Sequence, residues 1–306
     1  VIKTVDYKVF MTDGTGEAQP AAKSRPETAC SALESGGIIF FPESPFKFSD
    51  RDRDFLLSQK QKDADYHKNI AYRPNEDRVT GFEARNEADV ERLRSIMANF
   101  HGQVQRFLQS FLAPYARGWK ADFASYRPIE EQGRKMRLRA RNDLLHVDSF
   151  ATRPIYGDRI LRTFINLNPE QMRVWNTSDN FEVLSQKFKG HVRRPKSMST
   201  LQKTPTAFHC LIKTLGLKSS SGSPYDSWML DFHNFLKENS EFQQSCRKDR
   251  WEFPPNSSWI VFTDMVSHAV LSGQYAMEQT FIVSKDDLVC PEKAPINILR
   301  RSYGLD

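Results

Sequence analysis

The chain has 306 residues, enough for one large domain or two modest ones, and its 39% hydrophobic and 27% charged residues suit a soluble globular protein with a substantial core. No apolar run approaches the roughly 18 residues of a bilayer-spanning helix, and the opening VIKTVDYKVF lacks the apolar stretch of a signal peptide. A net charge of +6 and a pI of about 9.1 favour anionic partners. The four scattered cysteines, Cys30, Cys210, Cys246 and Cys290, form no Cys-x-x-Cys pair, which argues against a zinc ribbon or a disulfide-stapled secreted domain and for reduced thiols in a cytosolic protein.

Residues 1–28 are polar with a Gly/Pro/Ala-rich middle and read as an extended arm. ALESGGIIFFP (32–42) predicts a helix end, a Gly-Gly turn and a buried strand Ile38 to Phe41. Val90, Leu93, Met97, Phe100, Val104, Phe107 and Phe111 recur at three- and four-residue steps, the pattern of an amphipathic helix from about Asn86 to Leu112. Asn86 is its expected N-cap, and Asp89 the acidic half of a capping box. Strands then dominate: ADFASYR (121–127), KMRLRAR (135–141), LLHVDSF (144–150), RILRTFINLNP (159–169) and MRVW (172–175). Between Pro205 and Cys246 the pattern turns helical, in TAFHCLIKTLGL and YDSWMLDFHNFLKENSEFQQSC. Strands resume with SSWIVFTD (257–264), SHAVLSG and YAMEQTFIV. The order fits a mainly β protein with flanking helices, a double-stranded β-helix (jelly-roll) with a helical insertion. We read 1–306 as a single catalytic domain: arm 1–28, helix-rich part 29–120, jelly-roll core 121–176 and 251–290, and basic loop plus helical insertion 177–250.

In LLHVDSF, His146 and Asp148 stand two positions apart, so on a strand they project from the same face. An imidazole and a carboxylate side by side can be two ligands of one metal ion; the plain alternative is a buried His hydrogen-bonded to an Asp. Seven histidines are available, at 67, 101, 146, 191, 209, 233 and 268. His101, His209 and His233 fall on predicted helices, where packing or surface roles are the expectation, and His191 falls in a basic loop. His268 begins a late strand that, in an antiparallel barrel, can lie beside the His146 strand. His146, Asp148 and His268 would then form a two-His, one-carboxylate facial triad with three open positions, the geometry of non-heme Fe(II) oxygenases.

HVDSF, RTFINLNP and SWIVFTDMVSHAVLSG resemble the Fe(II)/2-oxoglutarate-dependent dioxygenase superfamily, and ALESGGIIFFP resembles the start of its catalytic domains. ESPFKFS, YHKNIAYRP, SYRPIEEQGRKMR, HVDSFATRP and LRTFINLNPEQMRVW together resemble the narrower Kdo hydroxylase family, which hydroxylates the 3-deoxy-octulosonic acid (Kdo) of the lipopolysaccharide inner core. The resemblance implies Fe(II), 2-oxoglutarate, O2, ascorbate as reductant, and release of succinate and CO2. It also implies hydroxylation at C3 of Kdo in a lipid A precursor. Asp148 favours hydroxylation over halogenation, since related halogenases lack that carboxylate. Many superfamily members carry an Arg or Lys about ten residues after the distal His to hold the far carboxylate of 2-oxoglutarate; SGQYAMEQTF has none. Arg162 is the first choice in its place, Arg127 the reserve, with Asn166 and Gln279 as further donors. His67, Lys68, Arg73, Arg127 and Arg153 are candidates for the anionic substrate, each otherwise a solvated residue.

The runs Gly133 to Arg141 and Lys187 to Lys196 suggest peripheral contact with an anionic membrane at the cytoplasmic face of the inner membrane, or simply solvated faces. Trp228, Phe232 and Phe235 are candidates for lipid contact or for core. No nucleic-acid partner is expected, and nothing in the sequence sets an oligomeric state. Two other readings stand beside this one. The same iron chemistry could act on a protein or nucleic acid, or a non-catalytic cupin-like module could bind an anionic glycolipid.

Overall fold

A computed structural model describes residues 7–11, 25–62, 69–195 and 222–305. Eleven strands are described: β1 (Lys8–Met11), β2 (Gly37–Phe41), β3 (Ile70–Arg73), β4 (Arg78–Thr80), β5 (Lys120–Arg127), β6 (Arg159–Asn166), β7 (Arg173–Asn180), β8 (Asp249–Phe253), β9 (Ser258–Phe262), β10 (Val266–Ser272) and β11 (Ala276–Val283). They form an eight-stranded sheet, β1-β2-β9-β6-β11-β5-β3-β4, and a three-stranded sheet, β10-β7-β8. All strand pairs are antiparallel. Phe164 and Trp259 of the large sheet pack with Trp175, Phe253 and Val270 of the small one, so the two sheets close on a shared apolar layer. This is the jelly-roll that the strand series predicts. Two strands add to it from the N-terminal half, β3 and β4, and part of the expected arm pairs as edge strand β1, with Lys8 opposite Phe40.

The helices are α1 (Pro26–Glu34), α2 (Asp50–Leu57), α3 (Glu87–Phe111), α4 (Phe181–Lys187), α5 (Pro224–Glu238), α6 (Ser240–Ser245) and α7 (Pro295–Tyr303). Asn86 caps α3 by accepting from the Asp89 N–H at 2.8 Å, but the Asp89 carboxylate turns to Arg85 (2.8 Å) instead of closing a capping box. The α3 stripe Leu93, Met97, Phe100 and Val104 is fully buried, whereas Val90, in the first turn, stays 37% exposed. This helix covers the outer face of the large sheet, where His101 bonds Gln279 (3.0 Å) and stacks near Phe281.

Two expected strands need correction: LLHVDSF pairs only through an isolated bridge between His146 and His268, and KMRLRAR does not pair at all. KMRLRAR is no strand: only a short 3-10 turn, Leu138–Ala140, forms there. Alternation alone does not make a strand without a partner edge, and the backbone instead closes local turns, Ala140 N–H to Arg137 O and Arg141 N–H to Leu138 O. Of the two alternatives for Trp228 (3% exposed) and Phe232 (buried), the core is the one observed, where both pack with Phe181. The helix expected at Thr206 to Leu217 lies outside the described residues. Among the described residues no helix is long and apolar enough to cross a membrane.

Candidate metal centre

The segment Leu144 to Asp148 runs antiparallel beside β10. His146 N–H donates to His268 O (3.1 Å), His268 N–H donates back to His146 O (2.9 Å), and Asp148 N–H donates to Thr263 O (2.7 Å). This pairing brings together residues more than a hundred positions apart, with the His146 and His268 rings 4.7 Å from centroid to centroid. The i, i+2 spacing places Asp148 Oδ1 3.6 Å from His146 Nε2. All three side chains are buried. His146 Nδ1 faces Leu144 O (2.7 Å) and His268 Nδ1 faces Val266 O (2.9 Å). A proton on each Nδ1 would fix its ring, the usual outer support of a metal-binding His, and for His146 it leaves Nε2 facing Asp148. The His268 ring also stacks on Trp175.

The donor set fits a metal ion. Asp148 Oδ2 is buried and makes no hydrogen bond, although Arg162 Nη2 lies within ion-pair reach at 3.2 Å. A buried carboxylate oxygen without a hydrogen bond costs free energy that a cation would recover. Burial alone would raise the Asp148 carboxyl, but Arg162 and the His146 contact hold it well below the usual carboxylate range. Burial, with Lys237 nearby, drives His146 well below the usual imidazole range, and burial also lowers His268. The cluster is thus a carboxylate with neutral imidazoles, the state in which these groups bind metal.

His233, contrary to its expected packing role, groups with His146 and Asp148, and His268 falls outside that group of closely spaced donor atoms. A ring nitrogen of His233, one of His146 and a carboxylate oxygen of Asp148 lie within 4.8 Å of one another. Helix α5 turns a face inward, for Leu230, His233, Asn234 and Lys237 all line the cavity described next. Their i, i+3, i+4, i+7 spacing was the available signal, but nothing in the sequence says which face of a helix meets the barrel.

The centre opens into a cavity of about 1140 Å³ lined by nine Lys or Arg and two acidic side chains, Asp148 and Glu278. Alternation along β6 and β11 points Arg162, Phe164, Glu278 and Thr280 into it. Glu278 accepts from Arg127 (3.1 and 3.3 Å) and from Arg162 (3.4 and 3.5 Å). Arg173, missed in the sequence, is 1% exposed and donates to Gly273 O (2.9 Å), with its nearest acid, Glu131, 4.0 Å away. Burial so weakly offset brings its guanidinium down to about 10. Trp175, two residues on, lines the same cavity, and its Nε1 is buried without a hydrogen bond.

Asn166 and Gln279 do not reach the cavity. Asn166 Nδ2 donates to Gln171 O and Phe253 O beyond the end of β6. Gln279 projects from the opposite face of β11 to Glu278 and spends its amide on His101, Asp122 O and Thr280 O. Arg73 and Arg153 line the cavity at more exposed positions; the Arg153 guanidinium meets Asp122 (2.6 Å) and lies 4.3 and 4.2 Å from the Phe123 and Phe150 rings. Arg127, 12% exposed at its side chain, sits deeper. His67 and Lys68 lie outside the described residues.

A family model described as 3-deoxy-D-manno-oct-2-ulosonic acid (Kdo) hydroxylase matches residues 17–305. No curated protein sequence matches the chain significantly. Among solved structures, the Kdo hydroxylase KdoO, a non-heme Fe(II) α-ketoglutarate-dependent dioxygenase in complex with α-ketoglutarate and Fe(III), is 30% identical with a TM-score of 0.79, covering 92% of this chain and 90% of that one. KdoO with cobalt(II) is 30% identical with a TM-score of 0.80 over 92% and 91%, and apo KdoO is 31% identical with a TM-score of 0.79 over 91% and 90%. With its jelly-roll, its buried His and Asp side chains and its basic cavity, the chain belongs to the Kdo hydroxylase family.

Proposed function

We propose that the protein is an Fe(II)- and 2-oxoglutarate-dependent dioxygenase that hydroxylates C3 of Kdo in a lipid A precursor, releasing succinate and CO2. The observation that carries this reading is the buried cluster of His146, Asp148 and His268 at the floor of a strongly basic cavity. KdoO structures are described with iron, α-ketoglutarate and succinate. His146, Asp148 and His268 would hold the iron. When bound, the iron supplies activation of O2 coupled to decarboxylation of the cosubstrate.

The chain's own residues do the rest. Arg162 touches both Asp148 and Glu278. With Asp148 engaged as a ligand, the Arg162 fork would be more available to the far carboxylate of 2-oxoglutarate. Arg127 and Arg173 back it with further positive charge. Arg73 and Arg153 at the rim, with Lys237 and Arg139 on the insertion side, face the Kdo carboxylate and the lipid A phosphates. Phe164, Trp175 and Val270 exclude water beside the His268 ring. Arg137 and Arg139, from the first basic run, line the cavity, while Lys189 and Arg194, from the second, bond carbonyls of α7 or its end. Attraction to an anionic membrane surface would therefore come from the cavity rim.

Incubating Kdo-lipid A with enzyme, Fe(II), ascorbate and 2-oxoglutarate should add one oxygen to the Kdo, seen by mass spectrometry, with succinate formed in equal amount. Succinate without oxygenated lipid would refute the substrate; no succinate would refute the activity.

A further inference from the structure

We propose that Gln243, in α6 of the helical insertion, is a positioning residue for the metal centre, its side-chain amide standing in for a neighbouring strand along the segment that carries His146 and Asp148. The inference rests on the reading that His146, Asp148 and His268 bind a metal. In an extended segment the backbone groups of alternate residues face opposite edges. His146 gives both of its backbone bonds to His268 of β10 (3.1 and 2.9 Å), and Asp148 N–H donates to Thr263 O (2.7 Å). The backbone groups of Leu145 and Val147 therefore face away from β10. Among the described residues no strand meets them, since the His146–His268 bridge is isolated and β7 is the neighbour of β10 in its sheet.

The insertion meets them instead. Gln243 accepts from Leu145 N–H (3.0 Å) and donates to Leu145 O (2.9 Å), so one primary amide makes the pair of bonds that a strand residue would make. Two residues on, His233 Nδ1 of α5 faces Val147 O at 2.7 Å. Gln243 is itself aimed by its surroundings. Its Nε2 also donates to Leu236 O of α5 (2.8 Å), and the adjacent Phe242 is buried edge to face against Phe188.

The Leu145 and Val147 side chains are buried, which fixes how deep the segment lies. Its slide and tilt along β10 are left to the backbone bonds on its two edges, and a single bridge holds the first edge. Gln243 holds the second, and so fixes where the His146 and Asp148 donors stand relative to His268. Contacts that orient metal ligands from behind are each worth about 10- to 100-fold in metal affinity.

The test uses cobalt(II), whose visible absorption reports the geometry of its ligands, with calorimetric titration and hydrogen exchange. Q243L keeps most of the side-chain volume and removes both bonds to Leu145. It should bind cobalt at least about tenfold more weakly than wild type, with an altered absorption band and faster exchange of the Leu145 amide. N86A, which removes the cap of α3, lowers stability elsewhere and should leave affinity and band as in wild type. Q243N, whose amide falls one methylene short of Leu145, carries the same test if Q243L does not fold, and should weaken binding and alter the band likewise. Wild-type affinity and band in the Gln243 variant, or an equal loss of affinity in N86A, would overturn the positioning role and leave the metal assignment standing. A wild-type protein that binds no cobalt would overturn both.

Discussion

Ten residues beyond His268, β11 carries Glu278, an acid at the position where the resemblance leads one to look for a base. It is 3% exposed and holds two guanidinium groups, those of Arg127 and Arg162. Removing one partner of a buried ion pair is costly because the remaining charge stays uncompensated. We expect E278Q to lose about 3 kcal/mol in denaturant unfolding of the metal-free protein. It should gain more stability than wild type from added 2-oxoglutarate, whose carboxylate takes the vacated role. An unaltered denaturation midpoint would show that Glu278 does not hold the arginines. R162A should raise the 2-oxoglutarate requirement by more than about tenfold, since a hydrogen bond to a charged group contributes about 1.5–3 kcal/mol. R162K should recover part of this, a point charge standing in for a fork. An unchanged requirement would move the anchor to Arg127 or Arg173, which R127A and R173A then separate. H146A, D148A and H268A should each abolish turnover and remain folded; near-normal activity in H268A would pass the distal role to His233. Period-two alternation made it legible in the sequence that Arg162 and Phe164 share a face, but not that this face is the inner one. It could not choose between Glu278 and Gln279, because the inner face of β11 follows from its register with β6, Glu278 opposite Phe164 and Gln279 opposite Thr163.

Among the elements, the strand series and α3 were readable because each carries its own period of apolar residues. The inward face of the insertion was not, because two docking contacts decide it. Asp226, in the first turn of α5, closes a capping box with Ser223 and also accepts from the Ile155 (2.8 Å) and Tyr156 (3.2 Å) N–H groups. One carboxylate thus starts the helix and ties it to the loop that precedes β6. D226A removes both functions. Loss of a cap and of charged hydrogen bonds to buried amides predicts about 2–4 kcal/mol of destabilisation. Hydrogen exchange should quicken first in α5 and α6, with the α3 amides protected as before. Uniform loss of protection would mean that the insertion and the barrel open as one unit. KMRLRAR shows the opposite limit: its alternation is genuine, but Arg137 and Arg139 line the cavity wall instead of joining a ladder, and the Arg139 carbonyl accepts from Lys237 Nζ of α5 (3.0 Å).

For the whole molecule, closure of the large sheet over the small one leaves a broad basic mouth at the metal end, and this sets how the protein meets a lipid-linked anion. Sedimentation with anionic vesicles should fall as salt rises, because attraction beyond about 8–10 Å is screened at ordinary ionic strength. Reversing the charge of Arg73 and Arg153 together should weaken it more than reversing Lys189 and Arg194, whose side chains are tied to Ser302 and Tyr303 carbonyls. Equal sedimentation with neutral and anionic vesicles would defeat this electrostatic attachment. The nine basic side chains around the cavity carry one more consequence. Between turnovers such a pocket is an ion exchanger: it holds mobile anions from the buffer, and every arriving substrate must release them. Their release adds entropy when substrate binds in dilute buffer and less as the bulk salt rises. Inorganic phosphate should therefore compete with substrate more strongly than chloride at matched ionic strength, so the ionic composition of the surrounding medium becomes an unwritten term in the enzyme's apparent affinity.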